Sequence, residues 1–235
     1  MNMRQNKQAI LALVADTGLS LAELLTRLAA YPAQAAVHAL FLALCRPEAL
    51  LRWRGVSCMG TTLARLADAD MEAARIVMRR LLWSLNDESG GIGWGAPESM
   101  AEAMCRHQGL ALEYAHMLLS YLREDGAEPW QDGNYLEHPL LQQGVLWGLA
   151  RLSGCRPALL VQRGAGPELL PFLAAPEATA RAFACIALGN LGLETARAAL
   201  QALAGDRAPV RLYTAEGAFV QTSVGACATG AMERI

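Results

Sequence analysis

Pro176-Glu177-Ala178-Thr179-Ala180-Arg181-Ala182-Phe183-Ala184-Cys185-Ile186-Ala187-Leu188-Gly189-Asn190-Leu191-Gly192 decides the fold. A proline opens the run, apolar residues recur at helical spacing, alanine fills the positions between, and a glycine closes it. Such a helix packs on more than one side. A variant stands at His138-Pro139-Leu140-Leu141-Gln142-Gln143-Gly144-Val145-Leu146-Trp147-Gly148-Leu149-Ala150-Arg151-Leu152, and a looser one at Trp53-Arg54-Gly55-Val56-Ser57-Cys58-Met59-Gly60. Small residues let neighbouring helix pairs approach closely, and the aliphatics between them build the core. Repetition of this unit predicts a stacked array.

Working outward, the same period predicts helices near 5–16, 20–30, 32–45, 47–67, 70–85, 97–123, 139–152, 156–163, 167–174, 177–190, 194–204 and 222–233, with a break in the long 97–123 segment near Gly109. Ser20 ahead of Leu21-Ala22-Glu23 is a start signal. Pro32, Pro97 and Pro139 sit in first turns, where the missing N–H is not needed. Near the C-terminus, β-favouring residues flank Ala215-Glu216-Gly217 and predict a small hairpin. It would cap the end of the stack, or offer an edge to a partner strand.

These repeat lines resemble HEAT-like repeats of the phycobilisome-lyase type, whose typical line sets an arginine ahead of an alanine-rich run ending in Ala-Leu-Gly. Arg181 with Ala187-Leu188-Gly189 carries the likeness best, and the N-terminal half matches more loosely. The resemblance implies a fold, all-α and a right-handed α-solenoid of HEAT-like or armadillo-type helix pairs, here with the small C-terminal hairpin. It covers about half of the chain and implies no particular activity.

Composition bounds the rest. The 235 residues are 54% hydrophobic and 18% charged, with a formal net charge of -2. That suffices for one large core, and it provides no broad cationic field for a phosphate backbone. Nucleic acid is therefore disfavoured as a partner. Six scattered cysteines without a Cys-x-x-Cys pair fit buried thiols in a reducing cytoplasm. No apolar run is long enough to span a bilayer, and the short one at Gln8–Ala15 reads as the first helix of the array.

The functional candidate is the loop Gly90-Gly91-Ile92-Gly93-Trp94-Gly95-Ala96-Pro97 between two helical segments. Its glycines allow close backbone approach, and Trp94 between two of them either projects or plugs the stack. No Gly-Lys-Ser/Thr follows, so it is not a Walker loop, and the spacing does not fit a dinucleotide fingerprint. Asp87, Glu88, Glu98 and Glu102 would repel phosphate and suit a cation or a basic peptide. A second irregular segment, Arg123–His138, carries Trp130, Tyr135 and His138. If it lies beside the first loop, the two form one aromatic and acidic groove.

Catalytic signatures are weak. Glu113-Tyr114-Ala115-His116 has the Glu-x-x-His spacing of di-iron bundles, but it occurs once, and Glu98, Glu102, His107 and His138 would have to converge on it. There is no Gly-x-Ser-x-Gly elbow. The resulting expectation is a single HEAT-like repeat domain over residues 1–235, non-enzymatic, presenting a concave surface and the glycine-tryptophan loop to a protein partner. The contact set is Trp94, Gly91, Gly93, Glu98, Glu102, Trp130, Tyr135 and His138, with an acidic rim that favours a basic or amphipathic segment. No catalytic residue, metal ligand or cofactor is assigned. The alternatives are a lyase-like enzyme with a small-molecule pocket beside residues 86–98, and a HEAT-like DNA glycosylase, which the charge balance disfavours.

Overall fold

Helix starts in the computed structural model fall where local chemistry puts them; the structure describes residues 3–86, 93–128 and 133–235. Residues 1–111 together with 213–219 form one compact unit, unit 1, and residues 112–212 with 220–235 form another, unit 2.

Unit 1 begins with α1 (Met3–Ala15) and α2 (Leu21–Leu28). Ser20 caps α2 as its pattern predicts: the Glu23 N–H donates to Ser20 Oγ at 3.3 Å, and the Ser20 N–H donates to the Glu23 carboxylate at 2.9 Å. Next come α3 (Ala33–Leu44), α4 (Ala49–Ala69), α5 (Met71–Leu85), capped by Asp70, and α6 (Ala96–Arg106), with Pro97 in its first turn. Helix α4 is the hub, packed against α3, α5 and α6. Its buried Met59 and Leu63 join Leu24, Leu40, Met78, Leu81, Met100 and Met104 in the core.

Two residues of α4 explain how the helices come so close. Arg54, only 4% exposed, donates to the carbonyls of Val14 (3.0 Å), Leu19 (2.9 Å) and Asp16 (2.8 Å), so one guanidinium ties down the whole turn between α1 and α2. Gly60 faces α6, where any Cβ would stand 2.3 Å from Glu102 Cβ; only glycine permits that approach. Tyr213 and Phe219 complete the unit against α4. The Trp53 and Tyr213 rings stack at 5.0 Å, Phe219 meets Trp53 edge-on at 6.4 Å, and Tyr213 Oη lies 3.3 Å from Ser57 Oγ. The turn that was expected to cap the end of the stack thus supplies residues 213–219 to unit 1, packed on α4.

The break expected near Gly109 falls at His107, two residues before it. Its backbone is extended, and its Nδ1 accepts the Leu110 N–H at 3.1 Å, so the imidazole caps the next helix, α7 (Gln108–Ser120).

Unit 2 contains most of α7, then α8 (Pro139–Cys155), α9 (Pro157–Gln162), α10 (Ala165–Leu169), a 3-10 turn at Leu170–Ala174 that carries Pro171, and α11 (Ala178–Asn190). A further 3-10 turn at Glu194–Ala196 leads into α12 (Arg197–Leu203). Strands β1 (Pro209–Tyr213) and β2 (Phe219–Ser223) pair as the predicted hairpin, and α13 (Val224–Met232), capped by Ser223, closes the chain. Helix α11 packs on α8 and α13. A Cβ at Gly189 would lie 2.7 Å from Ala231 Cβ, so the trailing glycine of the deciding line again sets a close approach. Arg181 donates to the carbonyls of Ala175 and Pro176, each at 2.8 Å, and to the Asp206 carboxylate at 2.8 Å.

Candidate functional site

The expected contact residues fall in both units. In unit 1, Gly93 is buried where the chain turns back against the end of α5; a Cβ there would meet the Ser84 carbonyl at 2.8 Å. Gly95 adopts φ 71° at the start of α6. Between them, half-buried Trp94 lines a cavity of about 490 Å³ together with Phe41 and Leu42 of α3 and Arg80 and Trp83 of α5. Trp83 is 75% exposed and Leu42 43%, an unusual exposure for side chains of this size. The Arg80 guanidinium lies 3.9 Å from the centre of the Phe41 ring, close enough for a cation–π contact. Gly91 lies outside the described residues, as do Asp87, Glu88, Gly90 and Ile92.

The carboxylates of α6 do not form the expected acidic rim. Glu102 is 2% exposed, held against Gly60, with Oε2 3.1 Å from the Arg106 guanidinium. Its side of α6 faces α4 rather than solvent. Glu98 is half-buried near the start of α6, and its Oε2 has no hydrogen-bond partner. Burial pushes its carboxyl up to about 7, against the pull of its own backbone N–H and of Arg52.

Unit 2 holds Tyr135 and His138. Residues 133–136 are tied back to the end of α7 through the main chain: the Asn134 N–H donates to the Arg123 carbonyl at 3.0 Å, and the Leu136 N–H to the Tyr121 carbonyl at 3.1 Å. With Leu136 buried, alternation along this extended segment turns Tyr135 outward. Tyr135 and Phe172 line an open cleft of about 680 Å³, whose charged members are Glu124, Glu137, Glu168 and Glu177 against Arg123 alone. Arg123 and Glu168 pair at 2.7 Å, so the described lining carries three further glutamates. His138 is exposed at the start of α8. Trp130 lies outside the described residues. Unit 2 by itself thus carries an aromatic and acidic cleft at Tyr135, with glutamates from positions that no sequence motif connects.

Chemistry finds less support. Among the described residues no group of three or more His, Cys, Asp or Glu side chains is placed to hold a metal, so Glu113 and His116 are not joined by the residues a di-iron site requires. Burial pushes the thiols of Cys58 and Cys185 up to about 12, far above the range of a reactive thiolate. No helix of the described residues is long and apolar enough to cross a membrane.

No protein-family model matches the sequence, and no curated protein is similar to it. Solved structures are. A designed armadillo repeat protein in complex with the peptide (KR)4 superposes with a TM-score of 0.56 at 16% identity, over 97% of this chain and 90% of that one. Another designed armadillo repeat protein gives 0.54 at 16%, over 97% and 92%. An engineered protein gives 0.53 at 15%, over 100% and 96%. At such identities the likeness carries the fold alone: an all-α helical-repeat solenoid like that of the armadillo repeat structures, with a small hairpin.

Proposed function

We propose that this chain is a non-enzymatic interaction scaffold, a single repeat domain working in the cytoplasm, that holds a protein partner through a basic or amphipathic segment. The observation that carries the reading is the cleft of unit 2, where Tyr135 and Phe172 stand among four glutamates with one arginine already paired. An extended segment bearing Lys or Arg would gain charge-assisted contacts there and an aromatic surface for its side-chain stems. A designed protein of the same fold was solved with a peptide of alternating Lys and Arg, which lends the reading analogical support.

Tyr135 and His138 remain contact residues for the basic segment, Trp94 and Gly93 remain contact residues of a surface on unit 1, and Gly91 and Trp130 are kept on sequence grounds. Glu102, buried and paired with Arg106, is assigned to the fold, and half-buried Glu98 is kept as a contact residue. The repeats are taken as the phycobilisome-lyase type that Arg181 and Ala187-Leu188-Gly189 resemble.

The test is fluorescence anisotropy with a labelled octapeptide of alternating Lys and Arg, and with its Asp-Glu counterpart. Wild type is expected to bind the basic peptide, and the double variant Glu124→Lys/Glu177→Lys to bind it at least about tenfold more weakly. Equal binding of both peptides by both proteins would sink the proposal.

A further inference from the structure

Helix α5 has one face that its own fold does not use. Ala74, Met78, Leu81, Leu82 and Leu85 fill the core side, as an amphipathic helix should. The opposite side ought to be polar, yet Ile76 and Trp83 stand 58% and 75% exposed, with Arg80 between them at the i, i+4, i+7 spacing that makes one stripe. Leu42 and Trp94 extend the apolar surface beside Trp83 across the cavity mouth.

The electrostatics of this surface are as specific as its shape. Helix α5 carries Arg75, Arg79 and Arg80 against the single carboxylate of Glu72. That carboxylate is engaged by Arg79 at 2.7 Å and Arg75 at 3.4 Å. Arg80, exposed and resting on the Phe41 ring, has no carboxylate partner among the described residues, and it is the one charged side chain among those described at the cavity. Contact with a ring face does not consume the guanidinium N–H groups, which stay suited to bidentate capture of a carboxylate.

We propose that Ile76, Arg80 and Trp83, with Phe41, Leu42 and Trp94 beside them, form a second docking site, for an apolar partner segment that carries a carboxylate between its anchoring side chains. The proposal rests on the scaffold reading and gives the Trp94 surface the opposite charge preference from the Tyr135 cleft. Trp83 is the central anchor: a large aromatic that becomes fully covered supplies most of the contact energy, and Arg80 selects the acid and rejects the base.

The experiment is a selection of randomised twelve-residue peptides displayed on phage against the purified chain, with counter-selection on Trp83→Ser and Arg80→Glu. The pool that Trp83→Ser fails to retain is expected to pair aromatic or aliphatic residues with Asp or Glu. A synthetic member should lose about thirtyfold in affinity on Trp83→Ser. With Arg80→Glu, the same selection should return Lys or Arg in place of the acid. An empty Trp83-dependent pool, or one without acidic enrichment, overturns the proposal. So does a dimer of the wild-type chain that Trp83→Ser dissociates, because the stripe would then belong to a second copy. If basic peptides still bind through the Tyr135 cleft, only this inference falls; if neither class binds anywhere, the scaffold reading falls with it.

Discussion

Helix α4 of unit 1 and helix α11 of unit 2 solve one packing problem with the same two residue types. Each sends an arginine into turn carbonyls, Arg54 into the turn between α1 and α2 and Arg181 into the turn before its own helix, and each sets a glycine against a neighbouring helix. They differ in how the guanidinium charge is compensated. Arg181 has the Asp206 carboxylate, whose own pKa the Ala208 N–H and Arg181 hold below the usual range. Arg54 relies on carbonyl dipoles: it donates to three main-chain oxygens, and it is nearly fully buried. The arginine of the repeat line is therefore a tether for the turn, which any set of oxygens can satisfy, and a carboxylate partner is optional.

That comparison is broken first at the glycines. Gly60→Val should cost about 3 kcal/mol, because the added atoms meet Glu102 backbone and Cβ rather than a side chain that can move aside; Gly189→Val should cost nearly as much against Ala231. Urea denaturation of both variants measures this, and a tolerated valine at either position would end the parallel. Next come the arginines. Arg54→Ala strands three carbonyls and should lose about 3 kcal/mol, while Arg181→Ala, nearer solvent, should lose about 1–2 kcal/mol. Equal losses would mean that the carboxylate matters more than the tether.

Glu98 sharpens the contrast from the side of pH. Its carboxyl titrates higher in the folded state, so the folded chain binds that proton more tightly than the unfolded chain does. The stability this confers is fully present below the ordinary glutamate range, near pH 4, and is lost as pH rises through about 7. Glu98→Gln should accordingly be more stable than wild type at pH 8, by on the order of 1–2 kcal/mol, with the advantage gone by about pH 4. Denaturation curves at the two pH values decide it; a constant difference would place the effect elsewhere. The smallest expected change is at half-buried Trp94, where Trp94→Ala should shift stability by less than about 1 kcal/mol while weakening peptide capture. A large loss of melting temperature with capture intact would make Trp94 a core residue.

Local chemistry was readable along the chain, and tertiary direction was not. Ser20 and Pro97 mark their helix starts because a cap acts within three or four residues. Gly109 located the break in the 97–123 segment to within two residues; its exact place at His107 was not legible, since a histidine that caps with its own ring leaves no strong sequence signature. The small residues of the repeat lines foretold close helix approaches, found at Gly60 and Gly189. Glu98 and Glu102 read as one solvent face because a four-residue spacing gives a face without saying which way it looks. The acidic cleft gathers Glu124, Glu137, Glu168 and Glu177 from distant positions, so only folding brings them together. Ile76, Arg80 and Trp83 were within reach: the stripe is periodic, and its mismatch with a buried face on the same helix was the available signal.

Residues 133–136 are fastened to the end of α7 by main-chain hydrogen bonds, so the position of Tyr135 does not depend on which side chain stands there. Such a mount lets a lineage exchange the residues at 135 and 137 and thereby retune its preference for partners, without re-solving the fold. The same property makes these two positions a natural place to randomise when a new binding specificity is sought.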